Sequence, residues 1–298
     1  MPSRAVPATI RRDDAKLEAA EAMDTGELGP ALRERVLSRL GFSEGPSVDL
    51  EGLKQIYRAW CGAVPFYNAR KLLHVRRSLP GVLPGDQPGD FFEAWLRHGC
   101  GGTCWAGNGA LYELLSSLGF QARRGLATML SSPNAPPGHG TVCVSFENDR
   151  YLVDASMLHG APLRLDDIGA TSVEERAWGL TCGRRDGRFH IPWRPLHRPA
   201  GFDCRIEHFD ATRAEFRDRH EATRGFSPFN FSLTARLNVG QAVLGLAFGR
   251  RVELRSTGGT SERDLTPVER MSLLVDDLGF SEALVSMIPA DLPTPPRP

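Results

Sequence analysis

The chain of 298 residues has no stretch approaching 18 uninterrupted apolar residues, which argues against a membrane span. It also lacks an excess of charge of either sign. Lys+Arg and Asp+Glu stand at 36 each, whereas a protein living on nucleic acid or an anionic membrane usually carries a basic surplus. Neither partner is therefore expected. The N-terminal segment MPSRAVPATIRRDDAKLEAAEAMDTGELG has charges every few residues and no apolar h-region, which speaks against a secretory signal. Cysteine is scarce. Six residues (Cys61, Cys100, Cys104, Cys143, Cys182 and Cys204) are too few for a disulfide scaffold, and Cys100-x-x-x-Cys104 is no paired CxxC zinc pattern. The expectation is a cytoplasmic protein with reduced thiols and no metal. No internal repeat is found.

What the chain does contain is ordinary for a globular protein: 41% hydrophobic and 24% charged residues, enough length for about two domains or one large one. Residues 1–28 have few large apolar side chains and are expected to form a mobile extension or weak surface helix. In ALRERVLSRLGF, Leu32, Val36, Leu37 and Leu40 mark an amphipathic helix stopped by Gly41. DLEGLKQIYRAWCGAVPFYN repeats the pattern through Leu50, Leu53, Ile56, Tyr57 and Trp60, with Asp49 as N-cap. SLPGVLPGDQPGD is expected to be loop and FFEAWLRHG a short helix. In CGGTCWAGNGALYELLSSLGF, Leu111, Leu114, Leu115 and Leu118 form one helix face and Gly119 stands at C′. Gly101-Gly102-Thr103 precede the run, so Cys104 falls at or near a helix N-terminus.

Beyond Phe120 the period changes to alternation. VCVSFENDRYLVDAS reads as a hairpin pairing Phe146 with Tyr151, with Val142, Val144, Phe146, Tyr151, Val153 and Ala155 on a buried face. The opposite, more polar face carries Thr141, Cys143, Ser145, Leu152, Asp154 and Ser156, with His139 in the same parity. Short strands are expected to about Asp210, a helix in RAEFRDRHEATRG, strands in NFSLTARLNVGQAVLGLAFGRRVELRS and an amphipathic helix in TPVERMSLLVDDLGF. The tail PADLPTPPRP is expected to be extended.

A nucleophilic cysteine acts as its thiolate, which a helix N-terminus and a nearby imidazolium both favour. Cys104 has the first by local reading, and the glycine pair before it lets backbone approach, leaves room for a substrate and brings N–H groups toward an oxyanion. His139 is the candidate base and Asp154, 15 residues further on, the group that orients it. In the expected register Asp154 stands opposite Cys143, leaving His139 four residues or about 13 Å away. Contact then needs another turn register, a bulge or a bent strand. Cys61, Cys143, Cys182 and Cys204 are read as inert small hydrophobes, and His74, His98, His159, His190, His197, His208 and His220 as surface or capping residues. Gly107-Asn108-Gly109 lies inside a helix and SSPNAPPGHG lacks a following GK[ST], so neither is a phosphate cradle.

At these residues the chain resembles the arylamine N-acetyltransferases. LRERVLSRLGF matches the family's Y-x-x-R-I-G helix, and DLEGLKQIYRAWCGAVPFYN its PFEN segment. GGTCWAGNGALYELLSSLGF matches RGG-x-C-[FY]-E-x-N, and HGTVCVSFENDRYLVDAS the H-x-x-l-x-V and W-l-V-D-v-G-F-G blocks. SPFNFSLTARL and LLVDDLGF are similar to its C-terminal elements, so the likeness runs over about residues 30–290. It implies an α+β fold with a papain-like cysteine core. The corresponding divisions are a helical domain over 29–120 carrying the nucleophile, a small β-barrel over 121–215 carrying His and Asp, an α/β domain over 216–290, and a Pro-rich tail over 291–298. It implies Cys104, His139 and Asp154 as catalytic residues, with Phe66 and Trp105 toward the substrate. No cofactor is held; acetyl-CoA or another acyl thioester is a co-substrate, and a small amine accepts the acyl group in a ping-pong reaction. Two alternatives stand beside it: an amide synthase of natural-product biosynthesis fed by an acyl-carrier protein, and a transglutaminase-like cysteine hydrolase.

The departures are specific. The Glu of PFEN is Tyr67 and the Arg before the glycines is Cys100, a coordinated loss of an ion pair, since removing one partner strands a charge. The Glu after the cysteine is lost around Ala106, while Asn108 is kept. Val-Gly-Phe-Gly after the aspartate is Ala155-Ser156-Met157-Leu158.

Overall fold

The computed structural model describes residues 27–132, 135–175 and 177–296. The expected mobile extension falls almost wholly outside the described residues. Two helices open the described chain, α1 (Pro30–Arg39) and α2 (Leu50–Ala63). Asp49 caps α2 by accepting from Gly52 N at 2.8 Å, as its short side chain before an apolar run suggests. A two-residue strand β1 (Phe66–Tyr67) and helix α3 (Ala69–Arg76) follow, both unread in the sequence. Helix α4 (Pro88–His98) begins inside the segment expected to be loop, because proline is well suited to a first helical turn. It ends at Gly99, whose φ of 68° is the left-handed conformation glycine takes without a Cβ clash. Helix α5 (Cys104–Ser117) starts at the cysteine itself.

Eight antiparallel strands come next: β2 (Gln121–Met129), β3 (His139–Phe146), β4 (Asp149–Val153), β5 (Leu163–Arg164), β6 (Thr171–Ser172), β7 (Thr181–Arg185), β8 (Arg188–Trp193) and β9 (Phe202–His208). Their order, β5-β4-β3-β2-β9-β8-β7-β6, curls into a nearly closed barrel in which Thr171 Oγ1 donates to Arg164 O across the closing edge. Helix α6 (Arg213–Ala222) leads to a second sheet of β10 (Thr234–Val239), β11 (Ala242–Ala247), β12 (Arg250–Leu254) and β13 (Thr260–Asp264). β1 joins it, pairing Phe66 with Arg236, so the helical segment contributes an edge strand to the C-terminal sheet. The expected last helix is short, α7 (Pro267–Ser272), continued by a π turn over Leu273–Asp277 and a four-residue α8 (Glu282–Val285). Residues 291–296 have no regular structure.

The β3–β4 hairpin separates two cores. Val142, Val144, Tyr151, Val153 and Ala155 pack with Leu53, Trp60, Phe92 and Leu111 of the helices. The opposite face is not the polar surface its composition suggests. Cys143 and Leu152 enter the barrel core with Ile191, Cys204 and Ile206. A third core, holding Leu72, Leu233, Leu246, Leu274 and Phe280, lies under the C-terminal sheet.

Candidate active site

The hairpin register corrects the sequence reading and brings the site together. Phe146 pairs with Asp149 and Val142 with Val153, so the turn is only Glu147–Asn148. The shift from the expected pairing is even, which preserves the faces. It also carries Asp154 past Cys143 toward His139. His139 Nε2 lies 2.7 Å from Asp154 Oδ2, and both side chains are buried. Among the alternatives left open by the sequence, a different turn register is the one the structure uses.

Asp154 is held from several sides. Its Oδ1 accepts from Ser156 N at 2.8 Å, Met157 N at 2.9 Å and Asn108 Nδ2 at 3.4 Å. Asn108 also donates to Gly140 O and accepts from Ala155 N, so α5 grips both hairpin strands. Gly107 makes the approach possible: a Cβ there would lie 3.2 Å from that of Ala155. Tyr57 was read only as part of an apolar stripe, yet its hydroxyl donates to Asp154 O at 2.9 Å and faces Asp154 N at 3.1 Å. A buried tyrosine on an otherwise apolar stripe is the one sequence signal for this role, because its hydroxyl needs a partner.

Burial alone would push His139 down and Asp154 up. Their mutual attraction outweighs it. Burial opposes the His139 imidazolium, but Asp154 and then Cys104, both also hydrogen-bonded to the ring, raise it to about 10. Burial likewise opposes the Asp154 carboxylate, and His139 with the backbone N–H of Met157 holds it well below the usual range. Nε2 faces Asp154, which leaves Nδ1 for the Cys104 thiol.

Cys104, 9% exposed, opens α5 and lies on the wall of a cavity of about 600 Å³ with His139, Phe66, Trp105, Trp193, Phe226, Phe229 and Arg236. Phe66 and Trp105 therefore both face the cavity. The glycine pair serves packing rather than substrate space. A Cβ on Gly101 would meet Pro65 O at 1.8 Å and one on Gly102 would crowd Ala106 and Phe91. The other five cysteines are free and buried, with thiols pushed up by burial, Cys61 to about 12 and Cys100, Cys143 and Cys182 to about 11.

The histidine reading needs correction at three positions. His74, His159 and His220 are buried, not surface. The His159 ring lies tilted against that of Tyr57, its Nδ1–H donates to Ala161 O at 2.7 Å, and burial pushes it to about 4. Among the described residues no group of three or more His, Cys, Asp or Glu side chains is placed to hold a metal ion. No described helix is long and apolar enough to cross a membrane.

Tyr67 and Cys100, where the family pattern has an ion pair, are both sealed in the third core, with the Tyr67 ring tilted against that of Phe280 at 4.3 Å between centroids. Leu158, where that pattern has glycine, takes a left-handed φ of 51°. Such a conformation costs roughly 1–2 kcal/mol for a residue with a Cβ. Complete burial of the leucine and the hydrogen bond from Asn238 Nδ2 to Leu158 O at 2.6 Å hold it there.

Residues 49–173 match the family model described as N-acetyltransferase. An arylamine N-acetyltransferase of Mycolicibacterium smegmatis is 28% identical over 179 residues, 54% of this chain. The match spans 62% of that relative's length. The arylamine N-acetyltransferase structure from Mycobacterium abscessus superposes with a TM-score of 0.71 at 19% identity, covering 85% of this chain and 92% of its own. That from Mycobacterium marinum in complex with CoA gives 0.70 at 19% identity, covering 86% and 94%. The mixed helical and barrel fold is thus similar to theirs, and over residues 49–173 the chain is similar to the N-acetyltransferases, as a divergent sequence.

Proposed function

We propose that this protein is an N-acyltransferase that moves an acyl group, acetyl in the simplest case, from a thioester to an amine through an S-acyl intermediate on Cys104. The observation that carries the reading is the thiol at the first residue of a helix, on a cavity wall, against an imidazole buried with its carboxylate. The arrangement is that of a papain-like cysteine core. With its proton on His139, the Cys104 sulfur attacks the thioester carbonyl. The first-turn N–H groups of α5 are the donors available to the developing oxyanion. Collapse expels the donor thiolate, which takes a proton from His139. An amine then attacks the S-acyl carbon, His139 accepts the amine proton, and amide leaves with the Cys104 sulfur restored. Phe66 and Trp105 shape the apolar part of the substrate site. A CoA thioester suits the donor role, since a structural neighbour is described in complex with CoA. Six free thiols support a cytoplasmic setting, and the separate barrel and C-terminal cores support the division at about residues 120 and 215. A second reading, in which an acyl-carrier protein delivers a longer chain, draws on the cavity: about 600 Å³ far exceeds an acetyl group.

Intact-mass measurement after incubation with acetyl-CoA, malonyl-CoA or an acylated carrier protein tests all of this. One donor is expected to leave its acyl mass on the wild type and none on Cys104→Ala. Identical adducts on both proteins, or none from any donor, overturn the covalent mechanism. Iodoacetamide is expected to label Cys104 faster than the five buried thiols, and equal rates count against its role.

A further inference from the structure

Arg236 sits on β10 and faces the same cavity, with 3% of its surface exposed. A buried guanidinium is ordinarily matched by a carboxylate, because an unpaired ion in the interior forfeits its hydration. This one makes no ion pair among the described residues. Nη1 donates to Arg194 O at 3.0 Å, the group lies 5.5 Å over the Trp193 ring, and Nε has no partner. Burial pushes it down to about 10, so it stays charged at neutral pH, and Arg194 adds a like charge. Asp154, the acid that acts on it, already serves His139 and three N–H donors.

The rest of the lining has the same bias. Among the described residues it contains Arg219 and His139 but no Asp or Glu. Its buried orphan atoms are all able to donate: Arg236 Nε, Thr234 Oγ1, Ser156 Oγ and the indole N–H groups of Trp105 and Trp193. The Ser156 hydroxyl stands where the family pattern has glycine. Arg236 is also near the nucleophile in the backbone. It pairs with Phe66, and Phe66 is bridged to Gly102, two residues before Cys104. Two strand spacings are about 10 Å, a span a short substrate covers.

We infer that the cavity takes a substrate carrying a carboxylate away from the reacting atoms, bound by the Arg236 guanidinium with the Thr234 and Ser156 hydroxyls, among aromatic walls. The carboxylate is the shared chemistry, and it arrives either on a dicarboxylic acyl group of the donor or on the acceptor amine. This rests on the acyl-transfer reading for its place in the reaction, but the binding itself does not.

The test uses the full chain with Cys104→Ala, which binds without transfer, and follows thermal unfolding. In the acyl arm succinyl-CoA is compared with acetyl-CoA; in the amine arm 4-aminobenzoate is compared with 4-toluidine. One carboxylate probe is expected to raise Tm more than its neutral counterpart, with affinity tighter by on the order of 10- to 100-fold. Arg236→Met is expected to abolish that difference and to leave the ligand-free Tm equal or higher, since it removes an unpaired buried charge. Arg236→Lys is expected to keep part of the preference. No preference in either arm overturns the inference, as does one that survives Arg236→Met. Equal weakening of acetyl-CoA and succinyl-CoA by Arg236→Met, with no preference in the amine arm, assigns the group to donor phosphates instead and also overturns it. A lower ligand-free Tm in both Arg236 variants shows a structural role and has the same consequence. A carboxylate preference without any S-acyl enzyme in the wild type leaves this inference standing and removes the transfer reading.

Discussion

On the barrel side of the cavity, Asp154 receives His139 and three further donors, and Tyr57 and Asn108 fasten the backbone around it. On the side of β10, Arg236 and Thr234 are equally buried and leave polar atoms without partners. The same low-dielectric interior surrounds both, so the contrast is one of completeness. The first wall holds its charges for its own chemistry and is finished by folding. The second is finished only when something anionic enters.

Breaking the complete wall carries the largest effect. Asp154→Asn keeps the shape but removes the charge that sustains the imidazolium, and acyl transfer is expected to fall roughly a thousand- to ten-thousand-fold in single-turnover assays. Asp154→Ala strands His139 as well and is expected to cost about 3–5 kcal/mol in denaturant unfolding. The pair also fixes the sign of the pH response. His139 is raised from 6.5 to about 10 in the folded state, so its stabilisation is full below about 6.5 and lost as pH climbs through 10. Asp154 is depressed from 3.8, so its share is present above that value and lost as pH falls below it. Tm of the wild type relative to Asp154→Asn is therefore expected to peak between about pH 4 and 6.5 and to shrink on either side. A difference independent of pH refutes the ion pair.

Tyr57→Phe sharpens the comparison with a smaller change. It leaves Asp154 O and N without the hydroxyl they share in a fully buried place, and is expected to cost about 1–3 kcal/mol by chemical denaturation. Transfer is expected to fall with the substrate KM little changed, because Tyr57 positions the carboxylate and does not line the cavity. A KM effect alone assigns it elsewhere.

How much of this was legible follows physical lines. Cys104 was readable because helix starts are local: the glycines before it and the apolar stripe after it lie within one segment. The faces of the β3–β4 hairpin were readable because parity survives an even register error. The His139–Asp154 contact was not, since register depends on whether the turn holds two residues or four, and Glu147 adopts a left-handed φ of 49° that its residue type does not announce. β1 escaped notice because a two-residue strand has no period, and it pairs with a strand about 170 residues away in sequence. Arg236 looked like an ordinary charge in TARLNV, and burial of a charged residue is a property of the tertiary fold alone.

Lys71 tests whether completeness, rather than depth, separates the two walls. It lies on α3, 4% exposed, and among the described residues makes no hydrogen bond or ion pair through its ammonium group. Burial pushes it down to about 8, against the pull of Cys104 and Glu221. A lysine whose folded pKa lies below its ordinary 10.5 destabilises the fold while protonated, and stability then rises with pH between 8 and 10.5. Lys71→Met keeps the length of the side chain and removes the charge, so it is expected to stabilise the protein at pH 7 by about 1–2 kcal/mol. The gain is expected to vanish as pH approaches 10.5. The sign is opposite to that of any change at Asp154, although both groups are buried close to Cys104. A destabilising Lys71→Met would mean that this ammonium, too, has a partner in the folded chain.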